Sequence, residues 1–473
     1  MLKKQLFIGG EWIEGSNFKE LTSPYSGETI AVIPFASEED VDKAIKAAVG
    51  VKKTLKKMPA FQRAEILENV VKLIEENREA CARIIAEEAA KPIQTARGEV
   101  ARTIMTYKFA SEEARRLPNE MINMDAAPGG EGRVAYAVRE PAGVVAAITP
   151  FNFPMNLVAH KLGPAFAAGN PVILKPASQT PLSSYFVAEL FDKAGLPKGA
   201  LNVLTGRGSV VGEALVTDPR INVVTFTGSP EVGIEIKRKA GLKKVTLELG
   251  SNSAVIIDQG VSLDDIVDRL VLGAFAYQGQ VCISLQRIFV HESRKKELVE
   301  KMTAKVQELV LGHPLDETTD LSALISPLDR KRVMEWIKEA VGSGATVAVG
   351  GKSKDNMVEP TILVDVDPSA NVSCKEVFGP VVMVNSFSNW QQAIEMVNDS
   401  EFGLQAGVYT KDISKAFMAS EELEVGGVMI NDIPTFRVDH MPYGGVKNSG
   451  SGREGIKYAI EEMTEMKLVS FKK

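Results

Sequence analysis

A chain of 473 residues exceeds what one hydrophobic core organises and points to two or three domains, for which an apolar fraction of 45% is ample. Its formal charge of −6, with no basic block denser than Lys52-Lys53 and Lys56-Lys57, excludes nucleic acid as an expected partner. The three cysteines, Cys81, Cys282 and Cys374, lack paired Cys/His spacings and support neither a disulfide framework nor a metal site, so a reducing cytoplasm suits them.

The first ten residues hold Lys3 and Lys4 but only a three-residue apolar run, Leu6-Phe7-Ile8, too short for a signal-peptide core. Apolar stretches such as 142–148 fall well short of the ~18 residues of a membrane span. A cytoplasmic protein without membrane contact is expected. Over 61–88, Ile66, Val70, Ile74, Cys81, Ile84 and Ile85 place one apolar stripe on a helix, which makes Cys81 a core residue. Residues 133–138 alternate in strand fashion and 141–148 reads as a second strand. From 143 to 257, short apolar runs at 144–148, 171–174, 201–204, 223–226 and 254–257 alternate with helical segments, the pattern of a parallel, doubly wound sheet. A second alternating block follows from 262, with strands predicted at 287–290, 346–349, 381–384, 407–409 and 428–431. Residues 466–471 alternate imperfectly, like an edge strand in need of a partner.

Several junctions between these elements carry chemistry. Pro150-Phe151-Asn152-Phe153-Pro154 follows the first strand of the doubly wound block, and the amide of Asn152 is a suitable donor to a developing oxyanion. Gly206-Arg207-Gly208-Ser209-Val210-Val211-Gly212 follows a strand and opens a helix. Its spacing is GxGxxxG, and the position about 20 residues on is Gly228 rather than an acid, so dinucleotide binding and plain close packing both stay open. Phe226-Thr227-Gly228-Ser229-Pro230 ends a strand, with Ser229 suited to cap a helix and Pro230 to its first turn, an anion-attracting arrangement. Leu247-Glu248-Leu249-Gly250 supplies a carboxylate able to activate water. Gly279-Gln280-Val281-Cys282 supplies a thiol able to attack a carbonyl carbon. Singly, Cys282 reads as a small buried hydrophobe, Asn152 as a turn residue and Glu248 as the exposed position of a strand. As a set they divide into oxyanion donor, base and nucleophile.

In that order these phrases resemble the aldehyde dehydrogenase superfamily, whose hydrolytic members carry Pro-Trp/Phe-Asn-Phe-Pro, Glu-Leu-Gly-Gly and Gly-Gln-x-Cys. The resemblance continues through Leu174-Lys175-Pro176-Ala177-Ser178, Phe226-Thr227-Gly228-Ser229, Lys375-Glu376-Val377-Phe378-Gly379-Pro380 and Pro442-Tyr443-Gly444-Gly445-Val446-Lys447. It implies an α/β aldehyde dehydrogenase fold. A Rossmann-like cofactor domain spans 1–122 and 142–250, an α/β catalytic domain 251–450, and a small β oligomerisation arm 123–141 and 451–473. The arm pairs strands between subunits of a homodimer or homotetramer, although a strand added within its own subunit suits the sequence nearly as well. The implied roles are nucleophile for Cys282, base for Glu248 and oxyanion donor for Asn152, with cofactor contacts from Phe151, Lys175, Ser178, Gly228, Ser229, Leu249, Glu376 and Phe378. Many NAD-preferring relatives carry Glu three residues after the lysine. Ser178 stands there instead, so NAD and NADP both stay open, with NADP tolerated and the hydroxyl leaning toward it.

Ser251 replaces the usual second Gly and is expected to alter the geometry beside the base. Val281 stands where non-phosphorylating glyceraldehyde-3-phosphate enzymes often have Arg, and His160 where succinate-semialdehyde enzymes often have Arg. Arg437, in the loop that by resemblance covers the aldehyde entrance, together with Asn156 and Arg287, would meet a small 2-hydroxyaldehyde with or without an anionic group. The alternative for Arg437 is a surface pair with Asp439 or Asp432. Rival activities are a succinate-semialdehyde-type or broad-specificity dehydrogenase, an acylating enzyme that passes the thioester to coenzyme A, and a catalytically silent binding member of the fold.

Overall fold

The computed structural model describes residues 2–473. Two large sheets dominate. In the first, the parallel strands Lys244–Glu248, Ile221–Thr227, Val144–Ile148, Val172–Lys175 and Leu201–Val203 lie side by side in that order, with Gly450–Ser451 antiparallel at one edge and Leu6–Ile8 and Glu11–Ile13 at the other. Helices cover both faces, so every residue of Val144–Ile148 is buried and the strand reads as a continuous apolar run rather than an alternation. The second sheet runs Thr346–Val349, Thr361–Val364, Val381–Phe387, Arg287–His291, Ala254–Ile257, Gln405–Tyr409 and Gly427–Ile430, parallel except for its first strand.

Chain order locates the crevice of the first sheet. From Val144–Ile148 the chain steps outward through Val172–Lys175 to Leu201–Val203, then returns to the other side of Val144–Ile148 at Ile221–Thr227. The connections therefore leave Val144–Ile148 and Ile221–Thr227 in opposite directions. The loops at their carboxyl ends, which begin at Thr149 and Gly228, open between them, as ligand sites of doubly wound sheets do.

Some expectations need correction. The stripe over 61–88 belongs to two helices, Ala60–Glu76 and Arg78–Ala89. Asn77 (φ −113°, ψ 22°) breaks them, and its side chain donates back to the Leu73 carbonyl at 2.8 Å, a local bond that competes with helix continuation. Cys81 is buried in the core of the first sheet. The strand Ala254–Ile257 lies in the second sheet rather than closing the first, whose own last parallel strand is Lys244–Glu248, with Glu248 buried rather than exposed; Thr361–Val364 is a further strand of the second sheet.

The arm also differs from its expected limits. Its three strands are Thr464–Lys472, Arg133–Pro141 and Glu120–Ile122. Gly450–Ser451 instead pairs with Leu247 and Glu248, and Ile456, Ile460 and Met463 pack into the core of the first sheet. Within the chain, Thr464–Lys472 pairs along Arg133–Pro141 over nine residues and exposes Met466, Leu468 and Phe471. Among the described residues no helix is long and apolar enough to cross a membrane.

Candidate active site

Asn152, Glu248 and Cys282, far apart in sequence, line one cavity of about 770 Å³. Asn152 comes from the loop after Val144–Ile148, Glu248 ends its strand, and Cys282 sits in the loop before Arg287–His291. Phe151, Gly228, Ser229, Leu249, Glu376 and Phe378 line the same cavity. A neighbouring cavity of about 750 Å³ shares Phe151, Gly228 and Ser229 and reaches Lys175, Gly208, Ser209 and Gly212.

The thiol loop is held in a conformation that chains avoid. Tyr277 (φ 49°), Gln278 (φ 54°) and Gly279 (φ 68°) are successive left-handed residues, a strained run sustained only by its surroundings. Gly279 is required twice over, because a Cβ there would stand 2.1 Å from the Gly379 carbonyl. The flanking side chains pin the strain. Tyr277 Oη donates to the Ala89 carbonyl, Gln278 Nε2 to the carbonyls of Ala90 and Ala323, and Gln280 Oε1 accepts from Ile325 N–H at 3.0 Å.

Asn152 Nδ2 donates to the Gln280 carbonyl at 3.0 Å, which ties the oxyanion donor to the thiol loop and leaves its second hydrogen for a substrate oxygen. The Asn152 carbonyl in turn accepts from Lys91 Nζ at 2.6 Å. Lys91 is fully buried with Glu99, whose carboxylate also accepts the N–H groups of Met155 (2.9 Å) and Asn156 (3.1 Å) at the start of the helix Asn156–Ala168. The Lys91–Glu99 pair is therefore the rear support of the donor loop. No sequence signal marked it, since the two residues belong to no recognisable motif.

Burial pushes the Cys282 thiol up to about 11, against the opposing pull of Tyr443 and Arg437. Burial first, then the charge of Glu454, drives the Glu248 carboxyl well above the ordinary carboxylate range, and neither of its oxygens has a protein hydrogen-bond partner. A base meant to hold a water needs such unspent acceptors. Glu376, pushed by burial up to about 7, accepts from Ser251 N–H at 3.0 Å, and a Cβ at Gly250 would strike its carboxylate at 2.4 Å. Ser251 itself does not have a positive φ, and its hydroxyl bonds that of Ser253 at 3.1 Å. The serine thus fits without strain, contrary to the expectation of altered geometry.

The polar residues expected at the substrate mouth divide. Arg437 forms neither expected pair: Asp432 is taken by Arg269 at 2.7 and 2.9 Å, and Asp439 by Arg102 (2.7 Å) and His160 (2.9 Å). Arg437 is instead buried, bonded to Glu454 at 2.9 Å and stacked 3.6 Å over the ring of Tyr443, whose hydroxyl lies 2.9 Å from the Cys282 sulfur. Asn156 is spent on Thr106 (2.8 Å) and Asp439 (3.2 Å) and positions that aspartate. Arg287 is not at the mouth. It donates to the backbone carbonyls of Asn252, Met396 and Val397 and braces the second sheet. Arg102 and Lys161, the latter 2.7 Å from Glu454, were missed, because neither lies in a phrase that carries chemistry.

A sequence profile described as "Aldehyde dehydrogenase family" matches residues 12–469. The chain belongs to the aldehyde dehydrogenase family. It is 46% identical over 464 residues to a 3-sulfolactaldehyde dehydrogenase of Priestia megaterium, covering 98% of this chain and 97% of that one. It is 42% identical to a lactaldehyde dehydrogenase of Methanocaldococcus jannaschii, covering 99% and 100%. The crystal structure of glyceraldehyde-3-phosphate dehydrogenase GapN from that organism, complexed with NADP, superposes with a TM-score of 0.93 at 41% identity over 97% of this chain and 100% of that one.

The aldehyde dehydrogenase is an NAD(P)-dependent oxidoreductase, and its cavity fits such a cofactor. Ser229 caps the helix Pro230–Lys239 by accepting from Val232 N–H, with Pro230 in its first turn, and both cavities reach this helix start, a place suited to an anion such as a pyrophosphate. Lys175, pushed by burial down to about 8, lines the neighbouring cavity, and Phe151 meets Phe378 edge-on at 5.6 Å, both lining the first cavity with Glu376. The dinucleotide supplies hydride acceptance there. The arrangement allows the rest: Cys282 offers a sulfur to an aldehyde carbon, Asn152 a free amide hydrogen to the oxygen that would become negative, and Glu248 two unspent acceptors for a water.

Proposed function

We propose that this aldehyde dehydrogenase oxidises a small 2-hydroxyaldehyde, with or without a terminal anionic group, to its carboxylic acid. The observation that carries the reading is the buried Arg437, one aromatic ring away from the reacting sulfur. Behind Tyr443, Arg102, Lys161 and Arg437 pair with two ionised carboxylates, Asp439 and Glu454. Lys161, His160 and Arg437 outweigh burial to hold Glu454 low, and His160 and Arg102 do the same for Asp439. Glu248 is pushed toward its neutral form, so the balance favours an anion. The 3-sulfolactaldehyde and lactaldehyde dehydrogenases among the relatives support the same substrate class.

The test is a kinetic panel of lactaldehyde, glycolaldehyde, glyceraldehyde and anionic analogues beside hexanal and benzaldehyde. For Arg437→Ala, the ratio of KM for an anionic aldehyde to KM for neutral glycolaldehyde rises about tenfold or more, the value of a charge-assisted hydrogen bond. Wild-type preference for hexanal or benzaldehyde, or an unchanged ratio in the variant, would overturn the reading.

Both NAD and NADP suit the site, with NADP favoured by Ser178. Its hydroxyl bonds the Gly206 carbonyl at 3.3 Å, beside the loop that lines the cofactor cavity. In Ser178→Glu a carboxylate about 5 Å from a 2′-phosphate costs on the order of 3 kcal/mol at an effective dielectric of ~20. NADP affinity should fall about a hundredfold while NAD affinity moves little. Equal losses by titration with the two cofactors would show that residue 178 faces away from the adenosine ribose.

A further inference from the structure

Resting on the assignment of Cys282 as nucleophile, we propose that Tyr443 is a catalytic residue of the aldehyde oxidation, its phenolic O–H donating to the Cys282 sulfur as thiolate before attack and again as the sulfur leaves the acyl group. Three observations place it there. The Tyr443 hydroxyl lies 2.9 Å from Sγ and has no other partner among the described residues, so the contact serves no competing structural bond. The residue is fixed in both directions by its backbone, with Tyr443 N–H donating to the Glu454 carbonyl at 3.0 Å and Glu454 N–H donating back at 2.7 Å. Its ring is buried beneath the Arg437 guanidinium, 3.6 Å from the ring centre. A cation on the π face draws electron density from the phenol and makes its O–H a stronger donor.

The contact distinguishes the states of the sulfur. A neutral thiol and a neutral phenol can each donate to the other, and either bond is weak. Once Sγ has lost its proton it can only accept, and the bond to the phenol becomes charge-assisted. An interaction stronger in the reactive state than in the resting state is what acceleration requires. In acylation the thiol proton goes to water, Sγ supplies the electron pair of the new C–S bond and the carbonyl π pair moves to the oxygen held by Asn152; that pair re-forms the C=O bond as hydride leaves for the oxidised NAD(P), the two-electron oxidant, and the thioester results. In deacylation hydroxide from the water deprotonated by Glu248 adds to the thioester carbon, the C–S bond breaks, and its electron pair returns to Sγ. Tyr443 donates to that returning pair without giving up its proton, and burial keeps the phenol protonated throughout. Asn152 and Tyr443 thereby divide the two charges of the reaction, the first serving oxygen and the second sulfur. Arg437 acts on the sulfur through the ring as a positioning residue. The charged groups facing the sulfur are Arg437 on one side and Glu376 and Glu248 on the other, so the hydrogen bond adds to a single favourable charge.

Tyr443→Phe tests this, because it keeps the ring, its packing and the Arg437 stack and removes one oxygen. Cys282 alkylation by iodoacetamide is followed against pH in the cofactor-free enzyme by mass spectrometry of the Cys282 peptide, which separates it from Cys374. The expected result is a midpoint about one pH unit higher in the variant, a tenfold slower alkylation at neutral pH and a similar fall in kcat, with NAD(P) affinity and thermal midpoint unchanged. Those last two readings separate loss of the bond from loss of the fold. An unchanged alkylation profile together with kcat within twofold of wild type would reduce Tyr443 to a wall of the cavity. If Cys282→Ala retains turnover, the nucleophile assignment fails first and independently.

Discussion

Cys282→Ala should lose aldehyde oxidation by roughly 10⁴-fold or more, the scale seen when a nucleophile is removed from a covalent mechanism. Folding and cofactor binding should survive. The thiol is half-buried beside a small cluster that includes Tyr277, Val281 and Tyr443, and its one side-chain hydrogen bond among the described residues is to the Tyr443 hydroxyl, so its removal costs about 1 kcal/mol of stability. The other cysteines serve as controls. Burial in the core of the first sheet pushes Cys81 up to about 12 and leaves it inert, and Cys374 ends a short helix outside the catalytic cavity. Cys81→Ala and Cys374→Ala should both keep turnover, read as reduced cofactor formed per enzyme with lactaldehyde. Substantial turnover in Cys282→Ala would end the covalent mechanism.

Glu248→Gln should separate the two halves of the reaction. Acylation uses the thiolate and Asn152, whereas water activation alone uses the carboxylate as base, so deacylation should slow by about 10²–10⁴-fold. A stopped-flow burst of one reduced cofactor per active site, followed by slow turnover, is the expected trace. The pH dependence has a definite sign. Only ionised Glu248 accepts a proton, and burial favours its protonated form, so thioester hydrolysis in the wild type should rise with pH as the carboxyl ionises. That rise should flatten in the variant. If hydride formation itself vanished and no acyl-enzyme accumulated, Glu248 would be needed earlier, in generating the thiolate.

How much of this was legible in the sequence follows from the range of the forces. Most strands of the doubly wound block could be read because they are short runs of apolar residues between turn signals, and the three candidate catalytic residues, which line one cavity, because each sits in a phrase where backbone geometry restricts the choices. Gly279 shows why: left-handed φ and a 2.1 Å approach to Gly379 admit no other residue. Strand Lys244–Glu248 presents no apolar run because Lys244, Thr246 and Glu248 alternate with Val245 and Leu247, although its last three residues are buried. The buried ionic cluster was illegible for another reason. Lys91, Glu99, Arg102, Lys161, Asp439 and Glu454 pair across separations of up to 337 residues in chain number, and a charge alone does not disclose its partner. Arg287 failed in the opposite way: an arginine at the start of a strand looked available, yet its guanidinium is consumed by three backbone carbonyls.

The C-terminal contribution to the site bears on how the enzyme is made. Cys282 and its hydrogen-bond partner Tyr443 are 161 residues apart, and the strand Gly450–Ser451 that pairs with Leu247 and Glu248 comes later still. A growing chain that has emerged through Cys282 therefore carries its nucleophile without the phenol, without Arg437 and without the strand that closes the sheet beside the base. At ≈ 5–20 residues per second the ribosome needs about 8–30 seconds to add the missing 161. Through that interval the sulfur lacks both the groups that favour its ionisation and the burial that opposes it, so the nascent thiol ionises more readily than the folded one. Docking of the last elements sets the sulfur beside the Tyr443 hydroxyl and pairs the strand that carries Glu248, so completion of the fold assembles the site around a thiol already present and, until then, open to cellular electrophiles.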